Sequence, residues 1–180
     1  MRFRNIIGSQ KTKTQLLESV KNNRISHSQL FFGPSGNEKF LLALAYAQYV
    51  NCIKKIPEDS CGSCSSCIKH QNLSHPDLHF IFPVLNTKEF KRPISENFLK
   101  EWRELISKNP FLSIEDWVET LKLKTKNTQL QIYKHESEEI QKKIILRNYE
   151  AKTKVFFIWL PEKMNIAAAN KLLKTIEEPT

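Results

Sequence analysis

All four cysteines of the chain fall in one short stretch, Cys52, Cys61, Cys64 and Cys67, spaced C-x8-C-x2-C-x2-C. Thiolates bind Zn²⁺ tetrahedrally, and a C-x2-C turn lets two sulfurs reach one ion. Gly62, Ser63, Ser65 and Ser66 are small, as a tight metal knuckle requires. Four ligands leave no open position, so such a metal is structural rather than catalytic. The competing readings are disulfides, free buried thiols and an iron–sulfur cluster. A further variant has His70, three residues after Cys67, replace one thiolate. A reducing compartment disfavours disulfides, and four unrelated buried thiols have no reason to cluster. We expect structural zinc on Cys52, Cys61, Cys64 and Cys67.

The second stretch with chemical content is GPSGNEKF, residues 33–40. Gly33, Gly36 and Lys39 stand at the spacing of a phosphate-binding loop. In a working loop, backbone N–H groups wrap the phosphates, the lysine reaches the β- and γ-phosphates, and a Ser or Thr binds Mg²⁺. Here Glu38 replaces a loop glycine and Phe40 replaces the hydroxyl. A carboxylate beside phosphates repels them. The partner motif of an ATPase is a strand ending in Asp, often followed by Glu. The strand VFFIWL ends in Trp159 and Leu160, and Glu162 follows only after Pro161. We therefore expect a retained loop that does not bind ATP, with Lys39 free to neutralise a local acid such as Glu38.

These elements need a scaffold, and 180 residues suffice for one domain with a sizeable core. Net charge is +9, but the lysines are scattered (Lys11, Lys13, Lys21, Lys54, Lys55, Lys122, Lys124, Lys126, Lys142, Lys143), which reads as solvated faces. No apolar run approaches the ~20 residues that span a bilayer, and the start lacks a signal-peptide core. We expect a cytoplasmic protein. The close, IEEPT, directly after a helical pattern, reads as the end of a truncated chain.

Residues 10–22 read as an amphipathic helix with Leu16, Leu17 and Val20 on its stripe and Ser9 as N-cap. Residues 28–32 read as a buried strand, 39–50 as a helix, and 78–82 and 155–160 as further strands. Strands separated by helices predict an α/β fold with a parallel sheet. A long stretch, about 84–135, is too long for a simple connection. Its patterns predict helices from Ser95 and Ser113, then a polar segment from Lys122 to Gln131 that we expect to be mobile. Two more helices are predicted, one from Ser137 and one over 165–178. His27 and His75 precede strands and read as packing or turn-forming residues. Asn170, Lys171, Glu177 and Glu178 read as a solvated or subunit-contacting face.

GPSGNEKF, the cysteine cluster, SHPDLHF at 74–80 and AAANKLLKTIEEPT at 167–180 together resemble the bacterial DNA polymerase III clamp loader. FRNIIGSQ at 3–10 and RISHSQLFFG at 24–33 are similar to the start of its AAA+ modules. The likeness excludes about 84–135, a helical insertion to which it assigns no role. It implies a partial AAA+ domain over 1–180, a P-loop NTPase-like parallel sheet flanked by helices, with a zinc module at 52–67. The four cysteines correspond one by one to the family's zinc ligands. The family's motor subunits (gamma/tau) have intact nucleotide motifs. Departures at Glu38, Phe40, Trp159 and Leu160 make this chain most similar to the delta-prime type, a stator without ATPase activity of its own within the polymerase holoenzyme. Partners implied are gamma/tau and delta, and, through the complex, the sliding clamp and primed DNA. The family's Ser-Arg-Cys arginine finger has no match before Thr180. Two other readings are an active AAA+ ATPase subunit and a zinc-bearing nucleic-acid-binding module. The second calls for aromatics interleaved with basic residues, whereas the aromatics here sit in apolar stripes.

Overall fold

The structure, a computed structural model, describes residues 1–122 and 129–178. Its elements are α1 (Gln10–Lys21), α2 (Lys39–Asn51), α3 (Ser65–Gln71), β1 (Leu78–Ile81), α4 (Leu99–Lys108), α5 (Ile114–Thr120), α6 (Lys134–Ile145), β2 (Val155–Ile158) and α7 (Ile166–Glu177). Short 3₁₀ turns precede α1, α4 and α7. The chain divides into two compact units. The first comprises Met1–Leu78, Asn109–Ser113 and Asn148–Val155; the second comprises His79–Lys108, Ile114–Arg147 and Phe156–Thr180.

The first unit is built on α2. Nearly every α2 residue is buried, as expected of a helix apolar all round rather than on one stripe. Leu41, Leu42, Ala45, Tyr46, Tyr49 and Val50 pack with Phe3, Ile6 and Leu16. Each large apolar side chain so buried contributes roughly 1.5–3 kcal/mol. Leu17 and Val20 of α1 pack against the same cluster, as the stripe predicts. Ser9 holds the N-cap position but in the left-handed region, and its side chain makes no capping bond. Its hydroxyl donates instead to Glu38 Oε1.

Two buried side chains fasten the segment ahead of β2. Asp77, 1% exposed, accepts the backbone N–H groups of Tyr149, Glu150 and Ala151 at 2.7, 2.9 and 2.8 Å. Asn51 Nδ2 donates to Thr153 O at 2.9 Å, and its Oδ1 accepts the Thr153 N–H at 3.3 Å. A buried carboxylate is tolerated only when hydrogen bonds replace its water, and these three amides do so. His75 is turn-forming, as expected: its Nδ1 accepts the Asp77 N–H at 3.1 Å.

β1 and β2, all but the first residue of each in the second unit, form a two-stranded sheet. Val155 N–H donates to Asp77 O and Trp159 N–H to Ile81 O, both at 2.8 Å, a matched offset that makes the strands parallel. Past β1, Phe82 stacks on Trp102 with centroids 4.3 Å apart and meets Trp117 edge-on at 5.0 Å. Trp117 Nε1 donates to Pro83 O at 2.8 Å, so the buried indole keeps no idle donor. The long stretch at 84–135 closes on itself, because Val84 and Gln131 exchange N–H···O bonds of 2.9 Å in each direction. A second apolar cluster joins Ile81, Ile132, Ile140 and Leu172. Asn165 caps α7, its Oδ1 accepting the Ala168 N–H at 2.8 Å.

Several expectations change. Residues 28–32 are not a strand; no ladder partner pairs with them among the described residues. Leu30 is 78% and Phe32 85% exposed, and only Phe31 turns inward, towards Tyr46. Apolar composition indicates burial, whereas a strand requires a neighbour. The helix expected from Ser95 opens as a 3₁₀ turn, Ser95–Phe98, before α4. The helix expected from Ser137 begins three residues earlier, at Lys134. Most of the polar segment expected to be mobile, residues 123–128, lies outside the described residues, with Lys124 and Lys126. Among the described residues no helix is long and apolar enough to cross a membrane.

At the start of α6 Glu136, 6% exposed, accepts the Ser95 N–H at 2.6 Å and the Ser95 hydroxyl at 3.1 Å. Burial raises its carboxyl to about 7, against the pull of the Ser95 bonds. The folded state therefore holds this proton more tightly than the unfolded chain does. Its contribution to stability is complete below about pH 4 and is lost as pH rises through 7. All three tryptophans lie in this unit. Urea unfolding followed by tryptophan fluorescence should show wild-type stability falling between about pH 5 and pH 8. The fall is up to about 3 kcal/mol, and Glu136→Gln should flatten it. An equal slope in the variant would show that Glu136 is not the titrating group.

Candidate metal centre and phosphate-loop segment

The four sulfurs are brought together by three short pieces of chain. Cys52 ends α2, Cys61 and Cys64 lie on the turn that follows, and Cys67 lies in the first turn of α3. The turn depends on Gly62, whose φ of +76° lies in the left-handed region. The four Sγ atoms all lie within 4.8 Å of one another, with Cys52–Cys61 at 3.6 Å and Cys61–Cys67 at 3.8 Å. Four thiolates around one ion at ~2.3 Å stand ~3.8 Å apart in a tetrahedron. A disulfide needs ~2.05 Å, and all four thiols are free. An iron–sulfur cluster would insert its inorganic core between the thiolates and spread them further. The spacing therefore fits one tetrahedral ion.

Local electrostatics also suit a cation. Backbone N–H groups donate to sulfur in series: Cys61 N to Cys52 Sγ at 3.3 Å, Cys64 N to Cys61 Sγ at 3.3 Å, and Cys67 N to Cys64 Sγ at 3.5 Å. The Ser63 N–H leads in drawing Cys61 down to about 6. Burial works against Cys64, but the amides of Cys67 and Ile53 leave it lowered. Burial pushes Cys52 and Cys67 up. A positive charge beside the two buried thiols would offset that burial and favour their thiolates. His70 stands outside the cluster, its Nδ1 bonded to Ser66 O at 3.0 Å.

Gly33, Gly36 and Lys39 also lie in the first unit. Gly36 has φ +73°, and open space surrounds its missing Cβ. The backbone there needs glycine, as a phosphate loop does. Lys39 begins α2, but its Nζ turns back into the loop, 2.6 Å from Pro34 O and 3.3 Å from Asn37 Oδ1. It does not pair with Glu38; Ser9 does, and that hydroxyl is the main influence holding the Glu38 carboxyl below its usual range. Phe40 is buried. Trp159 packs on Trp102 at 5.2 Å, and Leu160 turns the chain with φ +55°. Glu162 follows on an exposed 3₁₀ turn. Glu177 and Glu178 are exposed, and Asn170 faces solvent. The partners of Asp77 and Asn51 escaped the sequence reading. The only local signal was the His75-Pro76-Asp77 turn before a strand.

An α/β chain with a reduced four-cysteine cluster and a phosphate-loop-like turn ahead of a buried helix defines the class. The chain belongs to the DNA polymerase III, delta subunit family, whose model matches residues 8–180. It is 26% identical to DNA polymerase III subunit delta' of Bacillus subtilis over 91% of this chain and 36% of the relative. It is 28% identical to subunit delta' of Yersinia pestis over 92% of this chain and 36% of the relative. Similarity to subunit tau/gamma of Haemophilus influenzae is 30% over 53% of this chain and 14% of the relative. The chain spans about a third of the length of the delta' relatives.

Cys64→Ser should remove a ligand and with it the bound metal. Elemental analysis is expected to fall from about one ion per chain to near zero. Proteolysis should then cut within residues 52–71 while tryptophan fluorescence of the second unit is unchanged. Full metal content in that variant would remove Cys64 from the ligand set.

Proposed function

We propose that this chain is the AAA+ portion of a delta-prime-type clamp-loader subunit. In this role it helps assemble the complex that loads the sliding clamp onto primed DNA and does not hydrolyse ATP itself. The observation that carries the reading is coverage: the delta' relatives run along nine-tenths of the chain, the tau/gamma relative along half. The loop adds support. Lys39 is engaged by the loop's own acceptors, Glu38 places an acid where phosphates would lie, and Phe40 offers magnesium no oxygen. The strand tip supplies Trp159 and Leu160 rather than acids.

On this reading the partners are gamma/tau and delta subunits, and Cys52, Cys61, Cys64 and Cys67 hold one structural Zn²⁺. Zinc fits four thiolates in a closed tetrahedron better than the harder divalent ions, which prefer oxygen. A second reading, an active ATPase subunit, draws on Lys39 and the tau/gamma similarity.

Calorimetry with Mg²⁺ and ATP, on the intact native gene product, separates the two. No detectable heat at about 1 mM ATP is the expected result, since micromolar binding would correspond to about −8 kcal/mol and could not be missed. Micromolar binding would make the loop a nucleotide site and defeat the stator reading.

A further inference from the structure

The cysteine cluster and the segment ahead of β2 lie in the same unit, joined by a continuous set of buried polar contacts. Two of the four cysteines have neighbours that reach this segment. Asn51, beside Cys52, grips the Thr153 backbone through both its amide atoms. Ser66, beside Cys67, donates its hydroxyl to Asn51 O at 2.9 Å. One turn further along α3, His70 Nδ1–H donates to Ser66 O, and the His70 ring lies on that of His75 with centroids 4.3 Å apart. His75 Nδ1 accepts the Asp77 N–H, and Asp77 holds the amides of Tyr149, Glu150 and Ala151. His75 Nε2 lies 3.3 Å from Glu150 Oε1, in an orientation short of a hydrogen bond. Lys69, also on α3, pairs with the other Glu150 oxygen at 2.5 Å.

Residues 149–153 are thus gripped from two directions, by Asn51 at the end of α2 and by the α3–His75–Asp77 side. The ends of α2 and α3 that carry these two grips pack directly on each other. The chain between Cys52 and Cys61 adds little to that packing, because Lys54, Lys55, Glu58 and the exposed Ile53 and Ile56 fill most of it. Cys52 ends α2 and Cys67 lies on α3, so an ion held by their sulfurs ties together the same two ends that the Ser66–Asn51 bond joins.

We propose that metal binding by the four cysteines is a latch for residues 149–153. The ion fixes α3 against the end of α2, and Asn51, His70, His75 and Asp77 act as positioning residues that pass this order to the segment entering β2. The inference rests on the metal reading above. By reciprocity, anything that loosens the segment must weaken the metal by the same factor.

The test uses the whole chain, with zinc content measured first and amide exchange followed by mass spectrometry. Removing zinc with a chelator should speed exchange at Tyr149, Glu150, Ala151 and Thr153 at least tenfold, while α6 amides hold their protection. Independently, Asn51→Ala and His75→Phe in zinc-loaded protein should speed the same amides. The same variants should shift zinc competition against a chromophoric chelator about tenfold towards release. Absence of bound zinc in the wild type overturns the metal reading and the latch together. Bound zinc with unchanged loop exchange on removal, or variants with wild-type zinc retention, overturns the latch alone. If chelation unfolds the whole unit, the variant competition decides the question.

Discussion

The approach of four sulfurs to within 4.8 Å of one another is the constraint that joins the end of α2, the turn after it and α3. The chain between Cys52 and Cys64 has few apolar residues to bury and no regular structure beyond one isolated bridge, Ile56 to Asp59. Its order comes from the cluster and from polar bonds to its neighbours, among them the Gln48 amide donating to the Ser60 hydroxyl at 2.8 Å. The amino-terminal residues show how far this extends. Asp59 accepts the N–H groups of Phe3 and Arg4 at 3.2 and 3.0 Å, and Arg2 donates to Cys61 O at 3.3 Å. Phe3, buried in the apolar cluster beside Tyr49, is thus also tied through its backbone to that turn. Where metal ligation supplies the order, binding energy is folding energy.

On the proposed reading, the phosphate-loop-like segment keeps its turn while groups around it bond to one another. Each group that would face a nucleotide has an internal partner. Lys39 turns to Pro34 and Asn37, the Lys39 N–H is accepted by Asn37 Oδ1 at 3.0 Å, and Glu38 takes the Ser9 hydroxyl. The last of these contacts ties the loop to the start of α1, a connection that the usual glycine at that position could not make. On the proposed reading Glu38 both opposes phosphate and anchors the loop through Ser9.

What was legible in the sequence was local. Cysteine spacing indicated the cluster, because ligands two residues apart must share a turn. The α1, α2 and α7 patterns gave their helices to within about a residue, because an apolar stripe or an all-apolar run is visible along one element. What failed was relational. Leu30, Phe31 and Phe32 looked like a buried strand, yet only Phe31 finds a partner. Asp77 and Asn51 bond to backbone more than 70 positions away, and no window along the chain can display that. The early start of α6 belongs to the same class: Glu136, a polar residue outside the apolar stripe, is buried because Ser95, 41 positions earlier, supplies its bonds.

The second unit links two departures that looked separate in the sequence, the long stretch at 84–135 and the missing acids at the tip of β2. Trp159 stands where an acid would be expected and packs on Trp102 of α4, which that stretch contributes. Trp102 is fully buried, with Phe80, Phe82 and Trp117 around it. A carboxylate at 159 would be half-buried and would face this aromatic wall on one side, which favours its neutral form. A neutral acid binds magnesium poorly, because the metal needs the anionic oxygen. A packed aromatic stretch beside the strand tip therefore disfavours an ionised acid on that tip. On the proposed reading, accommodating the stretch and losing the hydrolytic acid are one structural change, and Trp159 is the residue at which it is expressed.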